Sequence, residues 1–293
     1  MFRMFASAGA VLALLAFSGT SAAQMQENCQ LVQLASLEIG TDASGGVYVP
    51  MSIGGKDYNM LVDTGGIYGT LNAGIATDLK LPRHPIDMFR MRMNMIDGKR
   101  LDQYVTLDSV QLGKMSADKV SLVLMPGDRL PDQIAGTLSP DVLHNYDVEF
   151  DFADAKMNLF SQDHCEGRVV YWTHEPFAQI PMRLDEYWHI VFPVILDGQH
   201  LTATLDTGSS RSIISVKAAS DLFGWTDGGD KKPVFKSLTI QGVTINNPDV
   251  IVIPSSHMGT GDQMIVGMDV LRRLRLYIAY KEQTLYVTGA GAH

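Results

Sequence analysis

The sequence predicts an all-β protein built from two homologous lobes, and three observations predict it. The triplet Asp-Thr-Gly occurs twice, at Asp63-Thr64-Gly65 and Asp206-Thr207-Gly208, each time after the strand-like run Met60-Leu61-Val62 or Ala203-Thr204-Leu205. Sliding the chain by the 143 residues between the two aspartates lays 47–55 on 190–198, with Pro50 on Pro193 and Gly55 on Gly198. Both stretches read as two short strands joined by a glycine-containing turn. Downstream, Ile134-Ala135-Gly136 precedes Asp141-Val142-Leu143, and Ile265-Val266-Gly267 precedes Asp269-Val270-Leu271. Alternating apolar positions follow each, Val148, Phe150 and Phe152 in one copy and Leu276, Ile278 and Tyr280 in the other. The period is far too long for a solenoid.

The elements follow in order. Residues 1–23 carry Arg3, an apolar run centred on 10–17 and the small residues Ser21-Ala22-Ala23. That pattern predicts a secretory signal cut after Ala23, hence a periplasmic or secreted protein. The run is short for a bilayer span. No other stretch is long or apolar enough, so no span is expected after cleavage; a retained anchor is the alternative. Residues 24–46 hold an N-terminal strand at 31–39 and a turn at 41–46. The first lobe is 47–160. Within it, Met88, Phe89, Met91, Met93, Met95 and Ile96 precede Asp97-Gly98, the spacing of a hairpin with that pair at its tip. Ordinary strand packing is the other reading of these methionines. A connector at 161–186 contains Cys165, Trp172, Pro176 and Pro181. The second lobe is 187–293, and its counterpart of the hairpin, 225–236, is shorter. Short helices are expected at 71–79, 216–223 and 268–274. The tail 289–293 reads as disordered, and Trp172, Trp188 and Trp225 read as packing residues.

Charge and motifs exclude several function classes. The formal charge is −9, and removing the signal with Arg3 makes it −10 over 270 residues. An acidic chain is a poor nucleic-acid binder and is repelled by anionic membrane surfaces. The eight histidines are scattered without His-Glu-x-x-His, so a zinc protease is not indicated. No Gly-x-Ser-x-Gly or phosphate loop occurs, and Gly65, Gly66 and Gly69 do not make a dinucleotide fingerprint. No cofactor or metal is implied. His164 beside Cys165 suggests a thiol site only weakly. Cys29 and Cys165 can pair as a disulfide in an exported protein, or stand as two unrelated thiols.

Two carboxylates on matching turns form a paired-carboxylate site. They cannot both ionise comfortably at close range, so they share a proton. One member then serves as base towards water and the other as acid towards a carbonyl oxygen. Gly65 and Gly208 permit tight turns that bring backbone N–H groups to the carboxylates. The Ser209 hydroxyl is expected to orient Asp206, and Gly66 leaves lobe one without such a hydroxyl.

On these residues the chain resembles the pepsin/retropepsin class of aspartic proteases, over roughly 47–287, and looks closest to bacterial exported two-lobe retropepsin-like members. The resemblance implies the pepsin-like acid protease fold: two homologous β-barrel-like lobes with the active site between them. It implies Asp63 and Asp206 as catalytic residues, with Thr64 and Thr207 bonded across the lobe interface to hold the turns level. The hairpin would be a flap over the substrate, with Met93, Asn94, Asp97 and Gly98 in contact with it. The N-terminal strand, the connector and the C-terminal strand would meet beneath the lobes, where a Cys29–Cys165 bond would staple the first two. The expected substrate is a protein or peptide in extended form. One chain supplies both aspartates, so a monomer suffices. A protease that cuts a single envelope protein is a narrower version of this reading. The alternative of another class is a catalytically inactive peptide-binding protein with a protease-like cleft.

Overall fold

The computed structural model describes residues 30–86, 93–94 (backbone), 100–126, 134–226, 233–254 and 263–292. It consists of three main sheets: one in each lobe and a six-stranded sheet that both lobes share.

Lobe one is organised by its first hairpin. Strand Val47–Ile53 buries alternate residues Val47, Val49, Met51 and Ile53, the period of a half-buried strand. Gly54 and Gly55 take φ of +60° and +81°, which turn the chain into the antiparallel strand Lys56–Val62. Two positive φ values in a two-residue loop are the tight-hairpin solution that matches strand twist. Lys56–Val62 runs parallel to Ile134–Leu138, which pairs in turn with Thr70–Asn72. Thr70–Asn72 lies beside Met115–Met125, and that strand lies beside Gln103–Leu112. Ser52 and Ile53 pair with Gln111 and Val110, so this sheet closes on itself as a barrel.

Lobe two repeats the same order. Ile190–Leu196 turns through Asp197 and Gly198 (φ 45° and 81°) into Gln199–Leu205. Gln199–Leu205 runs parallel to Met264–Val266. Met264–Val266 pairs antiparallel with Ile213–Ser215, which lies against Ile251–Ile253. The helix Val216–Phe223 is capped at both ends by its own sequence. The Ser215 side chain accepts from the Ala218 N–H, and Gly224 at φ 65° ends it.

The shared sheet has the order Gln33–Glu38, Lys156–Phe160, Asp147–Asp151, Leu274–Ala279, Thr284–Gly289, Ala178–Pro181. The lobes join where Val148 opposes Ile278 and Phe150 opposes Leu276. Leu274–Ala279 is buried at every residue because both faces are covered. Leu274, Leu276 and Ile278 join the main core. On the other face Tyr277 packs with Phe160, Val169, Trp172 and Tyr286. That face also carries buried charge. Arg275 bonds Glu149 at 2.9 Å and Asp151 at 2.7 Å, and lies 4.8 Å over the Trp172 ring.

Several expectations change in detail. The helix expected at 71–79 is Ala73–Asp78, because 70–72 is strand. The one expected at 268–274 stops at Leu271, because Leu274 opens a sheet strand. The connector contains the strand Ala178–Pro181, which covers the sheet edge at Thr284–Gly289. The tail is ordered through Ala290, whose N–H donates to Arg273 O at 2.8 Å. Trp172 is buried, but Trp188 is 42% exposed and stacks on His144 rather than filling a core. Among the described residues no helix is long and apolar enough to cross a membrane.

Candidate active site

Each lobe delivers one aspartate by the same construction. Asp63 follows strand Lys56–Val62, and its N–H donates to Leu138 O at 2.9 Å on the parallel neighbour. Asp206 follows Gln199–Leu205, and its N–H donates to Val266 O at 3.0 Å. The two turns face each other, and the two carboxyl groups are hydrogen-bonded to one another.

Buried threonines lock this arrangement. The Thr64 N–H donates to Thr207 Oγ1 at 3.1 Å, and the Thr207 N–H donates to Thr64 Oγ1 at 3.0 Å. Each hydroxyl also donates to a backbone carbonyl in the opposite lobe, Thr64 to Leu205 O at 3.0 Å and Thr207 to Val62 O at 2.6 Å. Both side chains are fully buried, where an unmade bond costs about 1–3 kcal/mol. The lattice therefore sets the height of one turn against the other.

The two glycines are required by a crosswise contact rather than by backbone conformation, since neither adopts a left-handed φ. A Cβ on Gly65 would stand 2.4 Å from Asp206 Cγ, and one on Gly208 would stand 2.3 Å from Asp63 Oδ1. Their N–H groups donate to their own aspartates, Gly65 to Asp63 Oδ1 at 3.2 Å and Gly208 to Asp206 Oδ1 at 2.8 Å. Gly208→Ala is expected to push the carboxyl groups apart and cut the rate at least about a hundredfold, the scale of an ångström-sized misplacement. Comparing kcat of the folded variant with wild type checks this.

Ser209 acts differently from expectation. Its hydroxyl donates to Arg211 O at 2.8 Å, and its backbone N–H reaches Asp206 Oδ1 at 3.1 Å. The repeat also has a different register from the one read off the sequence. Leu205 pairs with Val266 as Val62 pairs with Leu138. Ile265-Val266-Gly267 therefore corresponds to Thr137-Leu138-Ser139, not to Ile134-Ala135-Gly136. Two apolar-apolar-glycine strings gave a false match of three residues' offset.

The true register exposes a side-chain exchange between the lobes. Lobe two has Ser209 against Gly267, and lobe one has Gly66 against Ser139. A Cβ on Gly267 would stand 2.8 Å from Ser209 O. A Cβ on Gly66 would stand 2.7 Å from both Ser139 Oγ and Asp63 Oδ2. Ser139 is fully buried and ends a chain of hydroxyls. Its Oγ lies 3.3 Å from Thr137 Oγ1, which lies 2.9 Å from Thr70 Oγ1. Sequence reasoning missed Ser139; the Asp141/Asp269 alignment contained the signal, since it sets Ser139 opposite Gly267. Those aspartates brace the turns, Asp141 accepting from the Gly69 N–H at 2.9 Å and Asp269 from Ser212 Oγ at 2.8 Å.

Electrostatics make the pair unequal. Desolvation, then the Asp206 charge beside it, push Asp63 from 3.8 to about 7, against the Gly65 and Gly66 N–H donors. Desolvation also raises Asp206, opposed by the Gly208 and Ser209 N–H groups, by the Asp63 carboxyl as donor and by the charge of His189. The pair titrates together, burial holding both members above the ordinary carboxylate value.

Of the residues expected to form a flap, the described ones are Met93 and Asn94. Met93 pairs with Leu101 and Asn94 with Arg100 in a two-stranded ladder. Asp97 and Gly98 lie outside the described residues, as does Cys29.

Residues 49–142 match a family model described as aspartyl protease, a span that contains Asp63 but not Asp206. No curated protein sequence matches the chain. Among solved structures the chain is similar to the aspartic proteinase from Irpex lacteus. The match has a TM-score of 0.56 and 15% identity, and covers 88% of this chain and 97% of that one. That likeness establishes the bilobal fold across both halves, including the half outside the family match. The first lobe thus matches an aspartyl protease family model, and the whole chain has the bilobal fold of an aspartic proteinase.

Proposed function

We propose that this protein is an aspartic endopeptidase in which Asp63 and Asp206 share one proton and activate a water molecule against a peptide bond. The observation that carries the reading is the pair of hydrogen-bonded carboxyl groups held level by the Thr64–Thr207 lattice. Ionised Asp206 takes a proton from water as the oxygen adds to the scissile carbonyl carbon. Asp63 gives its proton to the carbonyl oxygen, and a tetrahedral diol forms. Collapse of the diol returns a proton to the leaving nitrogen and breaks the C–N bond. The Asp63 value of about 7 supports activity from acidic to near-neutral pH, with loss above it as the shared proton leaves. The substrate of this reading is an extended protein or peptide, which would pair its backbone with the strand Met93–Asn94. The test is cleavage of a mixed peptide library by the chain from Gln24, over roughly pH 3 to 8, beside Asp63→Asn and Asp206→Asn. Loss in both variants supports the dyad. Peptide binding without dyad-dependent cleavage moves the reading to a peptide-binding protein with a protease-like cleft.

The setting is proposed as the periplasm or the cell exterior, with envelope proteins or peptides as substrates, on the strength of residues 1–23. A Cys29–Cys165 disulfide belongs to the same proposal. The Ser161 N–H donates to Val32 O at 2.9 Å, so the N-terminal segment enters the fold alongside the start of the connector that carries Cys165. Exported protein is expected to begin at Gln24 and to gain the mass of two hydrogens on reduction after unfolding. Intact-mass spectrometry reads both, and a chain that keeps residues 1–23 and does not change mass on reduction overturns them.

A further inference from the structure

The two active turns are not held alike, and the difference points to His189. In lobe two the Ser209 carbonyl accepts from the Met268 N–H at 2.8 Å. The Asp141/Asp269 alignment sets Pro140 opposite Met268, and both open the short helix behind their turn. Proline has no N–H, so lobe one has no such donor for the Gly66 carbonyl. His189 Nε2 stands 3.1 Å from Gly66 O instead, reaching across from lobe two.

His189 is held in place for this contact. Its Nδ1 lies 2.8 Å from Asp185 Oδ2, and Asp185 Oδ1 accepts from the Tyr187 and His189 N–H groups at 2.8 and 2.9 Å. Trp188, between them, has φ +66° and stacks on His144 of lobe one at 4.2 Å. A bulky residue in the left-handed region is a genuine outlier that persists only where its surroundings over-determine it. Both ring nitrogens of His189 face acceptors, a carboxylate and a carbonyl. Only the imidazolium can donate to both.

We propose that His189, fastened by Asp185, is a positioning residue: its imidazolium replaces the donor that Pro140 lacks and fixes the Gly66 turn beneath Asp63. This rests on the endopeptidase reading. Gly66 is the residue through which the clasp acts, since its own N–H donates to Asp63 O at 3.3 Å and lowers the Asp63 carboxyl. The titratable groups around the ring are Asp185 and Tyr187 on its own loop and Asp206 on the second turn. Tyr68 of lobe one interacts with Tyr187, and His144 faces the same loop through Trp188. His189 lowers Asp206, and Asp185 is itself held below the ordinary carboxylate value: burial raises it, but the three donors from His189 and Tyr187 outweigh that.

The experiment compares kcat, KM and pH profiles of wild type, His189→Gln and His189→Phe, with melting curves to establish folding. Gln keeps an N–H for Gly66 without the charge. It is expected to hold kcat within about threefold at its own optimum and to move the acid limb up by about half a pH unit or more. Phe removes both and is expected to lower kcat at least about tenfold with KM within about twofold. Equal behaviour of the two variants, or an unmoved acid limb in Gln, overturns the proposal. If Phe does not fold, the Gln profile decides alone. A second readout is independent of cleavage: nitrogen-detected NMR of the His189 ring, assigned by its absence in His189→Gln. Two protonated nitrogens, with the Gly66 amide shifting as one proton is lost, support the clasp; a neutral ring at pH values where the carboxyl pair holds its single proton overturns it. Wild type that cleaves nothing defeats the endopeptidase reading, while the NMR result still judges the clasp.

Discussion

Asp63→Asn is expected to fold, to cleave peptides at least about a thousandfold more slowly than wild type, and to melt at a higher temperature at neutral pH. The first effect follows from removing the group proposed to pass a proton to the carbonyl oxygen. An Asn amide keeps an oxygen for the Gly65 N–H and presents an N–H to Asp206, so it imitates the protonated carboxyl in shape but has no proton to give. The second effect follows from linkage. Asp63 is raised from 3.8 to about 7 in the folded protein. Its favourable contribution is complete below about pH 4 and is lost as pH rises through about 7. At about 1.4 kcal/mol per pKa unit the loss is on the order of a few kcal/mol. The variant escapes it, so the two proteins should melt together near pH 4 and diverge by about 5 °C or more near pH 7. Calorimetry at both pH values reads this. Equal melting temperatures at both would show that Asp63 titrates normally and that the carboxyl groups do not share a proton. A variant that cleaves like wild type would remove Asp63 from the chemistry altogether.

Arg275→Met is expected to destabilise the protein by about 3–5 kcal/mol, the cost of leaving buried charge without its partner. Arg275 sits on the strand by which lobe two joins lobe one. It is 7% exposed and bonds Glu149 and Asp151, both buried, on the facing strand. Glu149 also accepts from Asn158 and Tyr171 at 2.7 Å each, so the layer is a network rather than one pair. The guanidinium lies 4.8 Å over the Trp172 ring as well, a contact methionine keeps only in part. Replacing Arg275, Glu149 and Asp151 together by apolar residues of similar volume should recover most of the loss, because no charge is then left unpaired. Urea unfolding of the single and triple variants measures both. A single variant within about 1 kcal/mol of wild type would mean the acids reach water when Arg275 is gone.

The sequence by itself determined the class of fold and the place of the carboxylates. Alternation in 47–53 and 190–196, tight turns at Gly54-Gly55 and Asp197-Gly198, and an aspartate just past each second strand are local signals. Local signals survive folding because strand period and turn geometry depend on neighbours in the chain. Hydrophobic patterning also marked one face of the shared sheet, Val148 and Phe150 with Leu276 and Ile278. It was silent about the other face, where Asp147, Glu149, Asp151 and Arg275 are buried in the layer that holds Trp172 and Tyr277. Only the tertiary structure decided the register of Thr137-Leu138-Ser139 against Ile265-Val266-Gly267, the crosswise fit of Gly65 and Gly208 under the opposite carboxyl groups, and the donors that hold each turn. The physical reason is common to all three. A glycine's missing Cβ, a proline's missing N–H and a serine's hydroxyl acquire meaning from the atom placed opposite them. For Gly208, Pro140 and Ser139 that atom belongs to a residue distant in sequence: Asp63 for the first, Gly66 for the other two, with His189 of the second lobe supplying the hydrogen bond that Pro140 cannot make.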